Sequence, residues 1–175
     1  MERIRVRAAT ITFALILTVA LGGCGGKNRL PDYRDVAFCA RVAWETDGAF
    51  MEALVVSDLQ GTQRIELLAP KELSGFVLLS EGRQKRILCG GVEMKGESMS
   101  ALFETVGVIL PAGERRVICR TEWEGESVMY AQVEGDPAVE LYLDPESGVP
   151  IGIVRGDLTV RVRSFEERSE GREAP

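Results

Sequence analysis

From residue 38 to residue 165 the chain is patterned mostly in twos. Phe38, Ala40, Val42 and Trp44 alternate with Cys39, Arg41, Ala43 and Glu45, the period of a strand with one covered and one wetter face. Asp47-Gly48 is a hairpin signal. Residues 50–58 form the next strand, Gly61 a turn, and residues 63–69 a third, with Ile65 and Leu67 on one face and Arg64 and Glu66 on the other. Residues 75–80 and 85–90 read as strands four and five around Glu81-Gly82. The first half is therefore an antiparallel meander.

The period then changes. After Ser98, an N-cap residue type, Met99, Leu102, Phe103, Val106 and Ile109 fall on one side of a short helix that Pro111 must end. Its apolar stripe needs a sheet to cover. Strands return at residues 116–124, 127–134, 138–143, 149–154 and 158–165, separated by Gly- and Pro-containing turns. Residues 167–175 are charged and apolar-poor and read as a disordered tail. The fold class expected is mainly β with one short central helix: about ten short strands in one sheet, long enough to curl into a half-open barrel lidded by that helix.

The segment before the strands is of another kind. Arg3, Arg5 and Arg7 precede an apolar run over residues 8–20, too short for a comfortable membrane span and right for a signal-peptide core. It ends in Leu21-Gly22-Gly23-Cys24. A leucine three places before a cysteine, with tiny residues between, resembles the lipobox of bacterial lipoproteins, in which the cysteine thiol receives a diacylglyceryl group. Residues 1–23 are accordingly expected to be a lipoprotein signal peptide, Cys24 the lipid attachment site, residues 24–33 a lipidated tether and residues 34–166 one domain. The location implied is extracytoplasmic, anchored to a bacterial cell membrane.

Composition narrows the chemistry. The 175 residues contain no histidine, which removes the usual general base, the Ser/His and Cys/His nucleophile pairs and the commonest zinc ligand. Removal of the leader leaves 152 residues with 18 basic and 26 acidic side chains. Such a surface repels nucleic acid and anionic headgroups, so membrane attachment should come from acyl chains. Cys39, Cys89 and Cys119 each sit in a strand-like segment; buried small hydrophobes, one internal disulfide and a reactive role are the alternatives, and no CxxC spacing favours the last.

Glu122, Glu124 and Glu126 read as a solvated acidic edge, and Asp144 with Glu146 as turn residues. No catalytic set, metal site or cofactor is expected.

Two stretches carry a family resemblance: residues 67–77, a strand, a Pro-x-x-Leu-x-Gly turn and the next strand, and residues 141–150 with 158–165, a closing hairpin with Asp, a small-residue turn and Pro. With the strand order, they resemble the LolA/LolB-like lipoproteins, including lipid-anchored Firmicutes members. The resemblance implies a half-open barrel that binds a lipid or lipoprotein acyl chain without catalysis. It also implies a rival role, an accessory lipoprotein that binds a cell-wall or spore-cortex amidase.

Alternation makes Phe38, Val42, Trp44, Ile65, Leu67, Val117, Trp123, Val139, Leu141, Val160 and Val162 the inward residues, facing Leu102, Phe103 and Val106 of the helix. It shows which face is covered, not whether side chains or a ligand fill the space. Partners expected are the membrane through the N-terminal lipid and an apolar ligand or envelope protein. Arg161 and Arg163 are read as guards of a free sheet edge, where strand exchange would give a homodimer.

Overall fold

The computed structural model describes residues 30–46, 49–82, 84–95 and 107–168. Over these residues the chain forms one sheet of eleven antiparallel strands: β1 (Phe38–Thr46), β2 (Ala49–Ser57), β3 (Thr62–Ala69), β4 (Val77–Glu81), β5 (Gln84–Cys89), β6 (Val92–Lys95), β7 (Arg115–Trp123), β8 (Glu126–Val133), β9 (Val139–Leu143), β10 (Pro150–Arg155) and β11 (Leu158–Glu167). The spatial order is β6-β5-β4-β3-β2-β1-β11-β10-β9-β8-β7. Two meanders thus meet at β1 and β11. β6 and β7, consecutive in the chain, stand at opposite edges of the sheet, and residues 107–114, which lead into β7, are the described part of the crossover between them.

The sheet is open but strongly curled. Lys85 of β5 and Arg155 of β10 line one cleft of about 300 Å³, although six strand-to-strand steps would separate these strands by roughly 29 Å in a flat sheet. Ile87 of β5 and Val133 of β8 likewise belong to one apolar cluster. Register shifts near Arg41/Val42, Glu52/Ala53, Val117/Cys119 and Pro150/Gly152 add local twist.

Four expectations change. A β-strand at Val92–Lys95 adds an eleventh member to the ten expected. The expected helix falls mostly on residues 99–106, Leu102, Phe103 and Val106 among them, which lie outside the described residues; its C-terminal part, Gly107–Ile109, is a 3-10 turn. Helical structure among the described residues consists of 3-10 turns, here and at Tyr33–Asp35 and Lys71–Leu73.

The strand carrying Arg161 and Arg163 is no edge: β11 pairs with both β1 and β10, because the second meander returns to the middle of the sheet. The packed domain also extends further at both ends than residues 34–166. Leu30 to Tyr33, expected in the tether, is docked on it, and Arg168 donates its backbone N–H to the Ala37 carbonyl at 2.8 Å.

Candidate functional site

Strand pairing fixes which side chains share a face. Along β1, Phe38, Ala40, Val42 and Trp44 are all buried. Their cross-strand neighbours carry the same face outward: Val55, Ile65 and Leu78 beside Ala40, and Ala53 and Leu67 beside Val42. On the other side Val160, Ile153, Leu141 and Ala131 continue the row from Trp44. These residues form one apolar cluster on the concave side.

Of the residues expected there, Phe38, Val42, Trp44, Ile65, Leu67, Val139, Leu141 and Val160 belong to that cluster, and Val162 packs against it. Val117 shares the face but stays 38% exposed, because it lies on the outermost strand.

Trp123 is on the opposite face. It stacks on Tyr142 with ring centroids 3.9 Å apart, and Tyr142 in turn meets Tyr130. The indole lies so close over Gly152 that a Cβ there would come within 2.7 Å of it. The reason is the shift between Val117 and Cys119. One extra residue, Ile118, reverses the phase of the alternation, so Val117 and Trp123, six positions apart, project from opposite sides. Arg161 borders this second cluster. It is ion-paired with Glu124, at 2.6 Å, and with Glu45.

The concave side is closed at one end by aromatic rings and an N-terminal strap. Phe38 and Phe165 stack at 4.8 Å, and Tyr33 stands edge-on to both. The Tyr33 hydroxyl donates to the Ile109 carbonyl at 2.8 Å, tying the strap to the crossover, whose Val108 and Ile109 are buried in the core. Burial pushes the Tyr33 phenol well above its ordinary range.

Arg34 grips Asp32 through two hydrogen bonds and donates to the Pro111 and Gly113 carbonyls. Arg115, almost wholly buried, donates to the carbonyls of Leu30 and Pro31. Burial raises the Asp32 carboxyl, but hydrogen bonds from Arg34 and the charge of Arg115 outweigh it and hold the group below its usual value. Sequence reasoning missed this strap, whose charges look like any solvated pair until the fold brings them together.

Beside the strap and crossover opens the cleft of about 300 Å³. Val108, Leu110 and Val139 make its wall apolar, while Lys85, Glu134, Asp136 and Arg155 set charges around its rim. Apart from Val139, none of the inward residues expected from alternation lines it. On the core side the indole Nε1 of Trp44 is a buried donor with no acceptor among the described residues, and an orphan of this kind is rare in folded proteins.

The remaining candidates have structural explanations. Asp144 accepts from the Glu146 and Ser147 backbone N–H groups and the Ser147 hydroxyl, the pattern of an Asx turn. Hydrogen bonds from Ser147 hold its carboxyl low. Glu124 is a turn residue with φ +50° before Gly125. Cys39, Cys89 and Cys119 are free thiols, and burial pushes that of Cys39 up. Cys24 lies outside the described residues. Among the described residues no group of three or more His, Cys, Asp or Glu side chains is placed to hold a metal ion, and no helix is long and apolar enough to cross a membrane.

Sequence comparison matches neither a family model nor a curated protein. The structure is similar to that of an uncharacterized conserved protein from Thermus thermophilus, at 15% identity and a TM-score of 0.54 over 77% of this chain and 80% of that one. A LolA superfamily protein from Nitrosomonas europaea matches at 9% identity and a TM-score of 0.44 over 79% of this chain and 89% of that one. The lipoprotein LppX of Mycobacterium tuberculosis matches at 11% identity and 0.40, over 76% and 85%. At 15% identity the first likeness concerns the fold alone.

Proposed function

We propose that this protein is a LolA-like, non-catalytic lipoprotein that holds an amphiphile, a lipid or a lipoprotein acyl chain, on the concave side of its sheet while diacylglycerol on Cys24 anchors it outside the cell membrane. The observation that carries this reading is the cleft between crossover and sheet, apolar at Val108, Leu110 and Val139 and charged at its rim. An acyl chain gains from leaving water at about 0.8 kcal/mol per methylene, and a polar headgroup stays wet among Lys85, Glu134, Asp136 and Arg155.

The test uses the full chain with Trp123 replaced by Phe, so that Trp44 is the sole tryptophan. Titration with cis-parinaric acid, a fluorescent fatty acid, is expected to give saturable energy transfer from Trp44. Leu110→Glu, at the half-buried cleft wall, should abolish that transfer while leaving the circular dichroism unchanged. No saturable transfer in the parent protein would overturn the reading. The anchor is tested apart: Cys24→Ser is expected to leave the membrane fraction or to accumulate as uncleaved precursor, and a processed, membrane-bound Cys24→Ser protein would refute lipidation.

A further inference from the structure

An open sheet has two edges, and here they are guarded very differently. β6 is four residues long, and its Glu93 lies 3.8 Å from Arg86 of the neighbouring strand. β7 is nine residues long, and every residue from Arg116 to Glu122 is exposed, including Val117 and Ile118. Among the described strands its one neighbour is β8. Half of its peptide N–H and C=O groups therefore point away from the sheet, and no backbone hydrogen bond outside the ladders reaches them among the described residues. A long exposed strand of this kind templates pairing with another chain.

The side chains say which chain. Beyond the irregularity at Ile118, residues 119–123 pair regularly with β8. Arg120 and Glu122 thus share one face, two positions apart, and neither makes an ion pair among the described residues. We infer that β7 pairs antiparallel with β7 of a second copy of this protein, about a two-fold axis at Thr121.

In that register Arg120 lies opposite Glu122 of the second copy and Glu122 opposite its Arg120, while Cys119 faces Trp123. Side chains directly opposite have Cβ atoms about 5 Å apart, close enough for both ion pairs. The neighbouring registers that keep the faces matched put Arg120 opposite Arg120 or Glu122 opposite Glu122. Like charges directly opposite are unfavourable, so the charge pattern selects one register. The ends of the second meander are thereby joined, and two open sheets become one continuous sheet without covering either concave side.

Disulfide trapping in intact cells tests this on the full chain. Thr121→Cys in a Cys119→Ser background, treated with a permeant thiol oxidant, is expected to give a covalent dimer on non-reducing electrophoresis. Its yield should exceed at least tenfold that of a cysteine at Gln60, an exposed position in the β2–β3 turn. Adding Arg120→Glu should lower the yield at least tenfold, and adding Glu122→Arg to that protein should restore it to within about threefold. Trapping at Thr121 no better than at Gln60, or a charge reversal that has no effect, or one that the second reversal does not rescue, would overturn the proposal.

Discussion

The protein has two tryptophans, and they sit in two small worlds. Trp44 is at the centre of the sheet on its concave side, within the main apolar cluster. Trp123 is at the sheet's rim on the convex side, clasped between Tyr142 and the bare backbone of Gly152. Each indole N–H is buried without an acceptor among the described residues. The first is surrounded by residues from many strands and depends on the whole curl. The second rests on a local stack, and its place was won by a single extra residue upstream. Burial alone therefore does not tell a candidate binding surface from a structural clasp; the face of the sheet does.

The contrast can be broken most forcefully at the centre. Trp44→Ala removes the largest fully buried side chain and should cost about 3–5 kcal/mol, measured by urea unfolding. A loss below about 1 kcal/mol would mean that the concave side is loosely packed around Trp44.

Next in size is Gly152→Val, which drives a branched side chain into the Trp123 indole and should cost about 1–3 kcal/mol. Adding Trp123→Ala should recover much of that loss, a coupling that distant sites do not show. Additive effects of the two changes would deny the clasp.

A smaller effect separates the two tryptophans by ligand. A fatty-acid probe should alter emission in the protein whose sole tryptophan is Trp44, and leave nearly unchanged the one whose sole tryptophan is Trp123. Equal responses would place the probe elsewhere.

The smallest effect is the clasp's share of a pH dependence that the buried Tyr33 phenol also feeds. Burial, reinforced by the hydrogen bond that the Tyr142 hydroxyl donates to Glu140, pushes the Tyr142 phenol up to about 12. The folded state thus holds this proton after the unfolded chain, near its ordinary value of about 10, has released it. The contribution is full below pH 10 and is lost as pH rises toward 12. Tyr142→Phe should make that stretch of the stability profile less steep, with the remaining slope coming from Tyr33, and an unchanged slope would show the Tyr142 phenol to be uncoupled from folding.

Much of this architecture was legible in the sequence, for a physical reason. A half-covered strand must alternate, so β1 and the main strands of both meanders could be read from period two, and Gly- and Pro-rich turns marked their ends. What stayed hidden obeys no period. A bulge leaves the hydrophobic pattern nearly intact while reversing its phase, which is why Trp123 was expected on the wrong face.

β6 is only four residues, two of them charged. Its one signal was Gly90-Gly91, where φ values of +55° and +83° make the tight turn that glycine pairs favour. The strap depended on partners about 80 residues apart, Arg34 with Pro111 and Arg115 with Leu30, and spacing within a short window cannot show them. The cleft was missed for the same reason, since its charged rim comes from β5, β10 and the turn before β9.

The meeting of β1 with β11 has a consequence for how the molecule is made. Phe38 pairs with Glu167, so the first strand to emerge during synthesis waits for the last. Each meander can assemble from neighbouring hairpins as it appears, but each then presents a naked inner edge, β1 on one and β11 on the other. Joining them requires closing nearly the whole chain into a loop, and such long-range contacts set the pace of folding. The nascent protein therefore spends its slowest interval as two half-sheets, each able to pair with the wrong neighbour, and a chaperone that shields β1 until β11 arrives would accelerate its maturation more than one that acts on any other strand.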